Sequence, residues 1–156
     1  MKVVFRSPVI LFFLIIQLLA SEPLLAEPSL KVGIALPLTG IVAEMGEAVR
    51  KGVELFAEEN PDSGVQFIFE DHQYDGKATV SAIHKLVDSD KVDVLVVWGN
   101  TPAGAAAPVA ERKKIPTIVM SMNPDGRGRE HVVSMGSRNE VLINQVSLYF
   151  RSVNAT

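Results

Sequence analysis

The sequence predicts an α/β domain, a three-layer sandwich in which helices cover both faces of a parallel sheet. Three observations carry that prediction. Short apolar runs alternate with stretches of helical period through the chain after residue 30. The intervals between runs are long enough for helical crossovers, which join parallel strands in a right-handed sense. The run Val92–Val97 is apolar at every position except Asp93, as a strand buried on both faces requires.

The elements follow in order. Lys31–Leu36 reads as the first strand and runs without a spacer into the turn Pro37-Leu38-Thr39-Gly40. Met45, Val49, Val53 and Phe56, with Gly52 on the same side, recur at helical spacing, so a helix is expected over Glu44–Asn60, stopped by Asn60-Pro61. Val65–Phe69 is the second strand. Asp75 is placed to cap a helix whose face is Val80, Ile83 and Val87, with Ala82 and Leu86 beside them. Val92–Val97 is the third strand. Thr101-Pro102 reads as an N-cap followed by proline in the first turn of an Ala-rich helix reaching Lys114, which Pro108 should bend or restart. Thr117–Met120 is the fourth strand. A Gly-rich loop over Asn123–Glu130 leads to a short strand at His131–Met135. Ser137-Arg138-Asn139-Glu140 matches a capping box, ahead of a last helical face formed by Leu142, Val146 and Tyr149.

The first 26 residues have the pattern of a secretion signal. Lys2 and Arg6 form a positive start, Val9–Leu19 is apolar except for Gln17, and Leu24-Leu25-Ala26 ends on a small residue. The apolar run is short for a span of about 20 residues, so a cleaved signal over 1–26 and a mature domain over 27–156 are expected, in the periplasm. Removing the signal leaves 13 basic and 17 acidic side chains, a net charge of −4. That balance offers no electrostatic footprint for nucleic acid. With no cysteine there is no disulfide, thiolate nucleophile or lipid attachment point. Neither G-x-x-x-x-G-K-[ST] nor G-x-G-x-x-G follows the first strand, and no G-x-S-x-G elbow surrounds Ser121, Ser134 or Ser137. Glu70, Asp71, His72 and Asp75 crowd one strand end. Carboxylates there more often accept backbone N–H groups than hold metal or run acid–base chemistry, and His84 and His131 add no ligand spacing.

In open parallel sheets ligands sit beyond the carboxyl ends of the strands. Two loops there have suitable chemistry. In Trp98-Gly99-Asn100-Thr101-Pro102, Gly99 permits close backbone approach and the helix start at Thr101 favours an anion, although Thr101 capping its own helix is an equal reading. In Ser121-Met122-Asn123-Pro124, Ser121 and Asn123 either contact a ligand or satisfy the loop backbone as ST and Asx turns. Met45 is a core residue by its period. Arg127 and Arg129, on the glycine turn 126–129, read as an exposed loop tip.

The run Val32-Gly33-Ile34-Ala35-Leu36-Pro37-Leu38-Thr39-Gly40, followed by Met45-Gly46, Gly52 and Glu54-Leu55-Phe56-Ala57-Glu58-Glu59-Asn60, resembles the start of the branched-chain amino acid (Leu/Ile/Val) binding proteins. These are type I periplasmic solute-binding proteins of ABC transporters. Glu70-Asp71, the helix around Ala82–Val87, and Ala107-Pro108-Val109-Ala110-Glu111 before Ile115-Pro116 extend the likeness over nearly all of the mature chain. The resemblance implies most of the first of two lobes, which close around a solute and present it to a membrane permease, with no cofactor and no catalysis. It implies an amino acid or amide as the solute. Asn100 and Thr101 fall where members use a serine-bearing loop for the ligand carboxylate. Ser121 and Asn123 fall in the segment that contacts the α-amino and carboxylate groups, with Met122 and Asn123 in place of the usual Ala and Thr. Met45 stands where many members carry an aromatic that covers the ligand, and Trp98 is a cleft wall or an inter-lobe packing residue. Half a cleft is expected to bind its solute weakly or not at all and to leave apolar surface uncovered. Two other readings stay open: a ligand-sensing ectodomain, since sensory receptors share this fold, and an exported flavodoxin-like hydrolase using Asp71, Asp75 and Ser121.

Overall fold

The computed structural model describes residues 30–123, 125–136 and 139–152, without the side chains of Asn139, Glu140 and Leu142. The segment assigned to the signal, Pro124 and the capping box at Ser137–Glu140 lie outside the described residues and side chains. Five strands, β1 (Leu30–Leu36), β2 (Val65–Asp71), β3 (Val94–Trp98), β4 (Thr117–Met120) and β5 (Val132–Met135), form one sheet in the order β2-β1-β3-β4-β5. Every neighbouring pair is parallel, as the alternation of elements predicts. The order reverses at β1, so the chain winds outward first to one edge and then to the other. That places a topological switch between β1 and β3.

Four α-helices connect or follow the strands: α1 (Ala43–Glu59), α2 (Gly76–His84), α3 (Asn100–Lys113) and α4 (Asn139–Ser152). One face of the sheet is closed. Ala35, Leu95, Val97 and Val119 pack there against Ile83 and Leu86 around α2 and against Ala103, Ala106, Ala107 and Ala110 of α3. The small alanines let α3 lie close to the strands, and each fully buried Leu, Ile or Val contributes about 1.5–3 kcal/mol. A π-turn over Lys85–Ser89 extends α2, with the Asp90 N–H donating to the Lys85 carbonyl, five residues back. Asp93 explains its own place in an apolar run: it precedes β3, and its carboxylate accepts the Lys31 N–H at 2.7 Å.

Three local expectations change. The helix after β3 begins at Asn100 with Gly99 at its N-cap and no side-chain cap, so Thr101 is already inside the helix and does not cap it. Pro108 neither bends the element into two nor restarts it. The helix runs through it, and Gly104, whose carbonyl loses its usual partner, is exposed to water. On α1 the covered side contains Gly46, Val49, Val53 and Ala57, one position around from the expected stripe, and Met45 is 59% exposed and outside the core. Gly46 is the cause. A Cβ there would lie 2.1 Å from the Pro37 carbonyl oxygen, so the helix seats its glycine against the turn after β1 and rolls Met45 outward.

The opposite face of the sheet is half-open towards β5. Met120, Val133 and Met135 are exposed there. On α4, Val146 and Tyr149 of its predicted face are exposed too, with Val141, Ile143, Leu148 and Phe150. Among the described residues, no helix is long and apolar enough to cross a membrane.

Candidate functional site

At the carboxyl ends of β1 and β2 one carboxylate organises the backbone. Asp71 Oδ1 accepts the Leu38 N–H at 2.9 Å, the Thr39 N–H at 3.3 Å and the Gln73 N–H at 2.9 Å, while Oδ2 accepts the Thr39 hydroxyl at 2.5 Å. Burial raises its pKa, but these hydrogen bonds outweigh burial and hold the carboxyl below its ordinary value. The turn Pro37–Gly40 is therefore pinned in place by Asp71. Asp75 is equally committed: its Oδ1 accepts the Ala78 N–H at 2.7 Å and caps α2, as its position after β2 predicts.

His72 ties this end of the sheet to β3. Its ring is completely buried, and Nδ1 faces the Tyr74 N–H at 3.1 Å. Because a backbone N–H can only donate, Nδ1 is the acceptor, so Nε2 bears the proton and donates to the Trp98 carbonyl at 3.0 Å. Burial pushes the imidazole below its ordinary pKa, against the opposing pull of the Trp98 carbonyl and the Asp71 charge. The neutral ring stabilises an unusual backbone. Gln73 and Tyr74 both have positive φ, +50° and +57°, a conformation costly for non-glycine residues.

This arrangement delivers the Tyr74 ring to the end of β3. The ring centroids of Tyr74 and Trp98 lie 5.9 Å apart with planes tilted by 60°. Gly99, at φ +103°, makes the contact possible, since a Cβ there would come within 2.5 Å of the Tyr74 ring.

Beside these rings, across the ends of β3 and β4, is a cavity of about 320 Å³ lined by Tyr74, Trp98, Gly99, Asn100, Met120, Ser121, Met122, Met135 and Gly136. Asn100 Oδ1 accepts the Met122 N–H at 2.9 Å, which fixes the amide's orientation and leaves Nδ2 without a partner among the described residues. Ser121 is buried within its loop. Its Oγ accepts the Asn123 N–H at 3.0 Å and donates to Asp125 Oδ2 at 2.7 Å, with Asn100 Oδ1 at 3.1 Å. Gly136 lets the exit of β5 close on this floor, because a Cβ would meet the Ser121 carbonyl oxygen at 2.4 Å.

Three residues expected at the site, Trp98, Asn100 and Ser121, therefore come together around one cavity. Thr101 is exposed in the first turn of α3, Asn123 contributes its backbone to the Ser121 turn, and Met45 stands exposed at the start of α1; none of the three lines the cavity. Tyr74, Met120, Met135 and Gly136 are lining residues that strand-end reasoning missed. The available signal for Tyr74 was a single aromatic in the polar run His72-Gln73-Tyr74-Asp75 immediately after a strand.

A family model described as periplasmic binding protein matches residues 29–154, which include all of the described residues. The chain belongs to the periplasmic binding protein family. No curated protein matches it significantly in sequence. Among solved structures, the leucine binding protein LivK of Thermotoga maritima is 23% identical with a TM-score of 0.70, over 80% of this chain and 38% of that one. The isoleucine complex of the branched-chain amino acid binding protein LivJ of Streptococcus pneumoniae is 21% identical with a TM-score of 0.65, over 76% and 38%. A solute binding protein of an ABC transporter from Rhodopseudomonas palustris, in complex with 3,4-dihydroxybenzoic acid, is 27% identical with a TM-score of 0.61, over 67% and 31%. The periplasmic binding protein chain thus spans about a third of the length of these structures, and its five-stranded parallel sheet has the fold of the part it covers.

Proposed function

We propose that the chain forms most of the first lobe of an extracytoplasmic solute-binding component of an ABC importer, exported to the periplasm by residues 1–26. It cradles a small solute and, with a second lobe closed over it, presents that solute unchanged to a membrane permease. The observation that carries this reading is the cavity at the carboxyl ends of β3 and β4, where an amide nitrogen with no partner among the described residues borders an apolar wall in a chain of this family.

The solute class is a small carboxylic acid with an apolar body. The family resemblance implies an amino acid or amide, and the neighbours' isoleucine and 3,4-dihydroxybenzoic acid are both small carboxylic acids. Asn100 Nδ2 and the unpaired N–H groups of the first turn of α3, at Asn100 and Thr101, receive the carboxylate. Trp98 is the wall, Ser121 shapes the floor, and Met45 and Asn123 stand at the rim where the lobes meet. A hydrolase using Asp71, Asp75 and Ser121 is disfavoured, since each of these side chains is already spent within its own loop.

A thermal-unfolding screen with small carboxylic acids, amino acids and amides tests the reading. A binding acid raises the unfolding midpoint and is recovered unchanged, and Asn100→Ala loses the increase while unfolding near the parent temperature. Absence of any increase across the panel, or turnover of the acid, contradicts it.

A further inference from the structure

The cavity has a chemical bias that narrows the solute class, given the solute-binding reading on which the narrowing rests. Its walls are the Tyr74 and Trp98 rings and the side chains of Met120, Met122 and Met135, and none of its lining residues is Asp, Glu, Lys or Arg. The acceptors on this wall are largely consumed. Asn100 Oδ1 holds the Met122 N–H, and the Ser121 hydroxyl is engaged by Asp125 and Asn123. What stays unpaired among the described residues is mainly donors: Asn100 Nδ2, the Trp98 indole N–H and the Tyr74 hydroxyl. An ammonium group has no carboxylate to meet on this wall, whereas a carboxylate has several donors. Aromatic faces and thioethers are polarizable partners suited to a flat unsaturated body.

The aromatic wall is also built rather than incidental. Tyr74 is held at φ +57° by its N–H on the buried His72, and its ring occupies space that only a glycine at position 99 leaves free. We propose that Tyr74 and Trp98 select a planar, unsaturated carboxylate of the benzoate type over an aliphatic α-amino acid, with Tyr74 as the specificity-determining residue.

The chain has one tryptophan, so a nitrogen-15-labelled sample gives one indole N–H signal, at the cavity itself. Titrations with benzoate, its saturated counterpart cyclohexanecarboxylate, and leucine are then compared. Benzoate is expected to move this signal at the lowest concentration, binding about 3- to 10-fold more tightly than cyclohexanecarboxylate from ring contacts alone, with leucine weakest. Tyr74→Asn, a residue that tolerates positive φ, should erase the benzoate preference, and Tyr74→Phe should keep it. Leucine or cyclohexanecarboxylate binding as tightly as benzoate overturns the proposal, as does a preference that survives Tyr74→Asn. Should Tyr74→Asn fail to fold, the ligand order in the parent and in Tyr74→Phe decides alone. Binding of leucine without benzoate defeats this inference and leaves the solute-binding reading standing; no response to any of the three defeats both.

Discussion

At the ends of β1 and β2, Asp71, Thr39, His72 and Asp75 are consumed by the chain's own backbone and neighbouring side chains, whereas at the ends of β3 and β4 an amide nitrogen, an indole N–H and a phenol hydroxyl have no partner among the described residues beside a cavity. The residues with the strongest apparent chemistry, two aspartates and a histidine, are scaffolding. The proposed site is lined by Asn, Trp, Tyr and Met. The reason is energetic: a backbone donor left unsatisfied in a partly buried turn costs about 1–3 kcal/mol, so a carboxylate at a strand end is captured by the loop before it is available to a ligand. His72 joins the two halves, because it fixes both Tyr74 and the end of β3.

The largest expected effect comes from breaking the scaffold half. Asp71→Ala removes four hydrogen bonds to a charged acceptor and should cost about 2–3 kcal/mol in urea unfolding; a loss below about 1 kcal/mol would show that the turn after β1 does not depend on it. Gly99→Ala joins the two halves in one test. Alanine at positive φ should cost about 1–2 kcal/mol, and its Cβ should displace the Tyr74 ring, seen as a shift of the Trp98 indole signal before any ligand is added. An unmoved signal would mean that the ring's place is not set by Gly99.

Acid sensitivity separates the halves in another way. His72 has a folded-state pKa below its ordinary 6.5, so the unfolded chain takes up a proton first as pH falls. Its stabilisation is complete above 6.5 and declines on acidification from there until the folded pKa is reached. Asp71, depressed below 3.8, gives a later loss as pH falls through its folded pKa. His72→Gln should remove the first decline and keep the second; persistence of the first would show that the buried ring is not its source. The smallest stability effect belongs to the site half. Asn100→Ala gives up one hydrogen bond, about 1 kcal/mol, yet should abolish carboxylate binding in the thermal screen, the reverse of Asp71→Ala.

Much of the fold is legible because it rests on periodicity. β4 falls at the expected residues and the other strands within two of theirs, since apolar runs bounded by polar turns have few alternatives in a parallel sheet. Asp75 is legible as a cap for the same local reason. The start of α3 is not, because Gly99 at φ +103° takes the capping position by conformation, without a side-chain signal. Met45 is misplaced because helical period locates a stripe but not the roll of the helix, which is set by the approach of Gly46 to Pro37. Tyr74 escapes sequence reasoning altogether: consecutive positive φ at Gln73 and Tyr74 depends on Asp71 and His72 holding them, and neither residue type announces that conformation.

Backbone amide NMR during titration with benzoate tests the central claim most directly. Binding at the β3–β4 edge should shift the amides of residues 98–101, 120–122 and 135–136, while those of Leu38 and Thr39, held by Asp71, stay in place. Shifts centred on Leu38 and Thr39, or spread without a centre, would contradict the assignment of scaffold and site.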